Sequence, residues 1–175
     1  NDLAYQLWQR GDRKGTTFLN ENESALSITA QKAADGGLQA GLFALFVPQP
    51  RRDLDTLSAT QQTYAFETVC QMAAILNQLS DDHPDHFQVC RSAPEIEAAT
   101  DAGALAAVLH LEGAEPVSPA LTELDSLYAM GVRSIGPLWS RPNAFGTGVP
   151  FSFPGSPDQG TGLTDAGKAL VKACD

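Results

Sequence analysis

Ala106-Ala107-Val108-Leu109-His110-Leu111-Glu112-Gly113-Ala114-Glu115-Pro116 is the stretch whose reading decides the fold. An apolar run ends abruptly in a carboxylate, a glycine and a turn, which is the pattern of a buried strand handing a charge to a loop. The first four positions are apolar without alternation, which suits a parallel strand covered on both faces, and Gly113 with Pro116 ends it. Glu112 then stands at the carboxyl end of the strand, where ligands bind in open α/β sheets and in (β/α)-barrels. It is a candidate site residue. The plainer alternative is a cap on the next helix or a solvated side chain, the common fate of acidic residues. His110, two residues earlier, shares a side with Glu112 in a regular strand and reads as a packed, hydrogen-bonded residue.

Working outward, Gly41-Leu42-Phe43-Ala44-Leu45-Phe46-Val47-Pro48 is a second buried strand bounded by Gly and Pro, with a loop through Arg52 behind it. Between the two strands, Ala65, Val69, Met72, Leu76 and Leu79 recur every three or four residues and make one face of a long helix. Asp81-Asp82-His83-Pro84-Asp85-His86 has the residue types of a metal cluster, but Pro84 breaks any helical face and a polar run after a helix reads as a solvated loop. Ser92-Ala93-Pro94-Glu95 is a capping box with Pro in the first turn, and Gly103 closes its helix. Downstream, Ser118-Pro119 is expected to start a helix carrying Leu121, Leu124, Leu127 and Tyr128, with Gly131 ending it. Arg133 to Trp139 is a third strand. Thr164 is the expected N-cap of a last helix with Leu170, Val171 and Cys174. Nearer the start, Tyr5 to Glu23 is mixed and Thr29 to Gly37 mostly small and polar, and the two stretches together read as loop with a short helix.

The order strand, helix, helix, strand, helix, strand is the alternation of an α/β protein with parallel strands. No period of solenoid length repeats. The 175 residues carry 43% hydrophobic side chains, enough for one sizeable core. Eleven Lys and Arg against 21 Asp and Glu give a formal charge of −10, which repels phosphate backbones and anionic membranes, so nucleic acid is not expected as a partner. No apolar run approaches the roughly 20 residues of a membrane span. Three dispersed cysteines, Cys70, Cys90 and Cys174, read as buried small hydrophobes in a reducing, cytoplasmic setting. From Arg141 to Gly162, five Gly, four Pro and three Phe make a long structured loop directly after a strand end. Its Gly146-Thr147-Gly148 lacks the further glycine and the strand-to-helix turn of a nucleotide loop.

Five segments then carry a resemblance. Asn1-Asp2-Leu3, Leu111-Glu112-Gly113, Leu127-Tyr128-Ala129-Met130-Gly131-Val132-Arg133, Trp139-Ser140-Arg141-Pro142-Asn143 and Gly162-Leu163-Thr164-Asp165-Ala166-Gly167 resemble, in order and spacing, the renal (membrane) dipeptidase family of zinc metallopeptidases. The resemblance implies a (β/α)8 TIM barrel of the metal-dependent hydrolase type, of which residues 1–175 supply roughly the first half. It implies dipeptide substrates and a binuclear site of two zinc ions at the carboxyl ends of the strands. Asp2 matches the aspartate of the family's His-Asn-Asp motif, a ligand of one zinc. Glu112 matches the carboxylate that bridges both ions, where a shared hydroxide is the nucleophile. Trp139 stands near a histidine that assists substrate binding in the mammalian pattern, a departure that removes a polariser of the scissile carbonyl.

The resemblance also implies a histidine just before Asn1, and later strands beyond Asp175 that supply two more histidine ligands, so these residues are expected to belong to a longer polypeptide. Alone they hold two ligands, too few for a tight zinc site. Phe145, Phe151 and Phe153, in the loop after the third strand, are candidates to wall the substrate pocket; packing of the loop is their alternative role. A homodimer is a possible assembly. Two other functions fit the same fold: hydrolysis of a different small amide or lactam, and a binding or structural role for an inactive barrel fragment.

Overall fold

A computed structural model describes residues 1–20, 25–48 and 59–175. The expected loop through Arg52 lies in part outside them, as does Glu23. Four parallel strands form one open sheet: β1 (Ala40–Leu45), β2 (Phe87–Val89), β3 (Leu105–Glu112) and β4 (Val132–Gly136). β3 is the centre. β1 runs along one edge, from Ala40 opposite Ala106 to Leu45 opposite Leu111. The other edge is shared, with β2 against Leu105–Ala107 and β4 against Leu109–Glu112. The expected α/β class with parallel strands therefore holds, as an open sheet rather than a closed barrel; four strands are half of what a barrel of this kind needs.

Helices α1 (Leu3–Gln9), α2 (Ala30–Asp35), α3 (Ala59–Asp82), α4 (Ala93–Asp101), α5 (Leu124–Ala129) and α6 (Asp165–Cys174) complete the framework. All five apolar positions that marked α3 are buried, packed with Phe43, Leu45, Phe87, Leu109 and Leu111 in one contiguous core. From Ala107 to Glu112 the side chains of β3 alternate between buried and half-buried. The sequence reading had both faces of this strand covered. One is covered along its whole length; α4 covers the other only at its amino end, through Ala99, Cys90 and Ala106, and farther along Leu42 is 51% exposed beside half-buried Val108 and His110.

Asn1 extends this sheet by one step. Its backbone nitrogen donates to Leu42 O at 3.3 Å and its carbonyl accepts from Ala44 N at 3.1 Å, which places it beside Phe43 at the free edge of β1. Asp2 is the N-cap position of α1.

Two expected caps are present. Ser92 Oγ accepts from Glu95 N at 3.4 Å while the Glu95 carboxylate accepts from Arg91 N at 2.7 Å, one residue before the cap. Thr164 Oγ1 accepts from Gly167 N at 3.1 Å. Replacing Thr164 by Ala is expected to lower stability by about 1 kcal/mol, read as a shift of the urea midpoint with an unchanged slope. An unshifted midpoint would show that the Thr164 cap carries nothing.

Two readings change and two short elements stand out. Residues 29–37 carry a helix: Thr29 caps α2 by accepting from Lys32 N at 3.2 Å. Phe87–Val89, for which the sequence offered no reading, is a strand, too short to show a period by itself and made by pairing with β3. The helix expected at Ser118 starts only at Leu124, because Leu121 adopts φ +62 and Glu123 folds its carboxylate back onto Ser118 N and Oγ, both at 2.8 Å. Burial raises the Glu123 pKa, and the donors of Ser118, Thr122 and its own backbone together outweigh it, so the carboxyl stays below its usual range. Cys174 is exposed rather than buried, whereas Cys90 is buried.

Candidate functional site

The carboxyl ends of β1, β3 and β4 lie together, and the segments leaving them build the candidate site. Glu112 ends β3 and is half-buried. It shares a strand side with His110, whose Nδ1 lies 2.8 Å from Ser134 Oγ on β4. Burial lowers the His110 pKa and outweighs the opposing pull of the Glu112 carboxylate. His110 is thus the packed, hydrogen-bonded residue that the sequence suggested. Asp2, exposed, follows Asn1 at the level of Ala44, whose partner on β3 is His110. The register therefore puts both carboxylates toward one end of the sheet.

The β3–β4 ladder continues beyond the strands: Gly113 N donates to Gly136 O at 2.9 Å and Ala114 N to Pro137 O at 3.1 Å. Gly113 has φ +88, and a Cβ there would collide with the Glu115 carboxylate, so this turn needs glycine on both counts. Glu115 is buried, its side chain 2% exposed, and its Oε1 takes the Arg141 Nε at 2.7 Å. Arg141 sends its Nη2 to Val47 O at 2.8 Å. Sequence reasoning missed this pair. The available signal was a carboxylate and a guanidinium each one short loop beyond a strand end, with Glu115 in an otherwise apolar run.

Aromatic rings border the same end. Trp139 lies 5.8 Å from Phe46, at the exit of β1, and 5.5 Å from Phe151, edge to face; Phe46 in turn lies 5.1 Å from Tyr5 on α1. Of the three loop phenylalanines, Phe151 is 82% exposed and Phe153 99% exposed, whereas Phe145 has no exposed surface and packs in the core.

Asp2 and Glu112 offer hard carboxylate oxygens suited to zinc. A four-coordinate ion needs more donors, and among the described residues no group of three or more His, Cys, Asp or Glu gathers closely enough to hold a metal. The polar run from Asp81 to His86 supplies none: Asp81, Asp82, Asp85 and His86 are exposed at the far end of α3. No helix among the described residues is long and apolar enough to cross a membrane.

Comparison with known proteins points to one family. The family model described as membrane dipeptidase (peptidase family M19) matches residues 1–175. A crystal structure of the metallopeptidase called dipeptidase AC superposes with a TM-score of 0.87 at 35% identity, covering 99% of this chain and 51% of that one. A metallopeptidase from Rhodobacter sphaeroides, liganded with a phosphinate mimic of the dipeptide L-Ala-D-Ala, gives 0.88 at 32% identity, covering 99% and 54%. An uncharacterized protein from the PQQ-III 3′ region of Acinetobacter calcoaceticus is 36% identical over 99% of this chain and 58% of its own length. The chain thus spans about half the length of these relatives.

Proposed function

Since this chain belongs to the membrane dipeptidase family of peptidases, we propose that it forms the first half of a (β/α)8 barrel that hydrolyses the peptide bond of a dipeptide at a two-zinc site. The observation that carries the reading is the half-buried Glu112 at the carboxyl end of the central strand, on the same side as half-buried Val108 and His110. Two zinc ions, when bound, acidify a water and polarise the scissile carbonyl. Glu112 would hold both through its two oxygens and Asp2 would hold one. The backbone that carries these carboxylates fixes where their oxygens would be offered to the ions. The rigid end of β3, zipped to β4 as far as Pro137, keeps Glu112 in place. Trp139 with Phe46 and Phe151 forms an apolar wall that orients a dipeptide side chain and keeps water from it. Phe145, expected to line the pocket, is fully buried in the core and is no part of that wall. Three unpaired cysteines suit the cytoplasm as compartment.

The test is made on the complete polypeptide that carries these residues. About two zinc ions per active site and turnover of a dipeptide panel, lost on chelation and restored by zinc, are expected. Metal with hydrolysis of a small amide or lactam but of no dipeptide would move the substrate class; neither metal nor hydrolysis would leave a binding or structural barrel fragment.

The wall makes its own prediction. Trimming Trp139 or Phe151 to Ala should change the ratio of kcat/KM between dipeptides with large and small side chains by about tenfold, the scale on which apolar pockets discriminate. Equal loss for every dipeptide, with a falling melting temperature, would assign these rings to packing alone.

A further inference from the structure

We infer that Glu115 and Arg141 are positioning residues: one buried ion pair that sets the spacing of three strand ends and thereby the placement of Glu112 against Trp139. The inference rests on the dipeptidase reading for its rate readout only.

The argument starts from topology. β1 and β4 do not touch, because β3 lies between them. Neighbouring strands are about 4.8 Å apart, so the exits of β1 and β4 are separated by roughly 10 Å. No ladder hydrogen bond spans that gap. Arg141 does, since it leaves the β4 side, binds the Glu115 carboxylate beyond β3 at 2.7 Å and reaches Val47 O beyond β1 at 2.8 Å. A planar guanidinium with donors on two edges suits such a double bond, and a lysine ammonium does not.

Both neighbours of the pair are candidate site residues. Glu115 lies three residues after Glu112, and its carboxylate rests on Gly113, the residue next to Glu112. Arg141 lies two residues after Trp139, whose ring meets Phe46, the residue before Val47. The ring contact and the ion pair therefore tie the same two segments side by side. The pair is also incompletely satisfied: Glu115 Oε2 is buried without a hydrogen-bond partner among the described residues. A buried charge held at this cost is poor stabilisation and good geometry, because an apolar pair of similar volume commonly serves stability as well or better.

The test uses the complete polypeptide with three variants: Arg141→Lys, Glu115→Gln, and the double change of Glu115→Leu with Arg141→Met. The double variant removes both charges together and so is expected to fold with nearly the wild-type melting temperature. Positioning predicts that it loses kcat by about 10- to 100-fold with KM little changed, since small misplacements of reacting groups have that effect. Amide exchange of Gly113 and Ala114 should also accelerate by about tenfold as their bonds to Gly136 and Pro137 loosen. Arg141→Lys keeps the charge and one of the two bonds, and it should not rescue kcat. Glu115→Gln should resemble it.

A folded double variant with wild-type kcat and wild-type exchange would overturn the inference, as would full rescue by Arg141→Lys. A wild-type polypeptide that hydrolyses no dipeptide would remove the reading above, and the exchange comparison then decides the inference by itself.

Discussion

Changing Glu112 to Gln in the complete polypeptide is expected to lower turnover of dipeptides by more than about a hundredfold, since losing a group that merely supports a metal ligand already costs 10- to 100-fold. Gln keeps the size of the side chain and removes the charge that would hold two cations. Glu112 is half-buried at the end of β3, and its backbone continues into the Gly113 and Ala114 bonds that tie β3 to β4. None of those bonds uses the carboxylate, so the fold should survive the change. Bound zinc and kcat should therefore fall together while the circular dichroism spectrum and melting temperature hold. Full zinc occupancy with near-normal turnover would show that Glu112 is an ordinary strand-end carboxylate and that the metal reading is wrong.

The largest effect on stability is expected at Phe87. This first residue of β2 is fully buried, with its ring 5.5 Å from Phe18 and 5.2 Å from Phe43, both edge to face. It joins the turn around Phe18 to β1 and β3, so truncation removes contacts from three segments at once. Phe87→Ala should cost about 3–5 kcal/mol, the usual range for a buried Phe. That is a large part of the roughly 5–15 kcal/mol by which domains are stable. With a urea slope of about 1–3 kcal/mol/M, the midpoint should fall by more than about 1 M. Phe153→Ala is the control: its side chain is 99% exposed, and its effect should stay within about 0.5 kcal/mol. Similar midpoints for the two variants would mean that the Phe18–Phe87–Phe43 cluster does not hold the core.

The different fates of the phenylalanines show where reading a sequence stops. Phe145, Phe151 and Phe153 share one loop and one residue type, yet Phe145 is fully buried and Phe153 almost fully exposed. A loop has no period, so nothing local marks which ring turns inward. β2 was hidden for a related reason, since three residues show no alternation and become a strand only by lying against Leu105–Ala107. At Ser118 the local signal was misleading. A Ser-Pro pair starts many helices, but here Glu123 takes the Ser118 donors and Leu121 takes a left-handed conformation, which delays the helix to Leu124.

What the sequence determined by itself is what depends on neighbours a few residues apart: the face of α3, the caps at Ser92 and Thr164, the strand at Leu105–Glu112 with a carboxylate at its end, and the motifs that carry the family. Each is encoded in the 3.6 and 2.0 periods of the backbone or in donors left over at a helix end. What only the tertiary structure decided is what depends on distant partners. Glu115 meets Arg141 across 26 residues, and Arg141 meets Val47 across 94. One edge of β3 is divided between β2 and β4, and the side that carries Glu112 is only half-buried from Val108 onward. Such contacts follow from how the whole chain closes on its core, and closing loops of these lengths costs nearly the same entropy for many alternative partners, so packing, and not spacing, chooses among them.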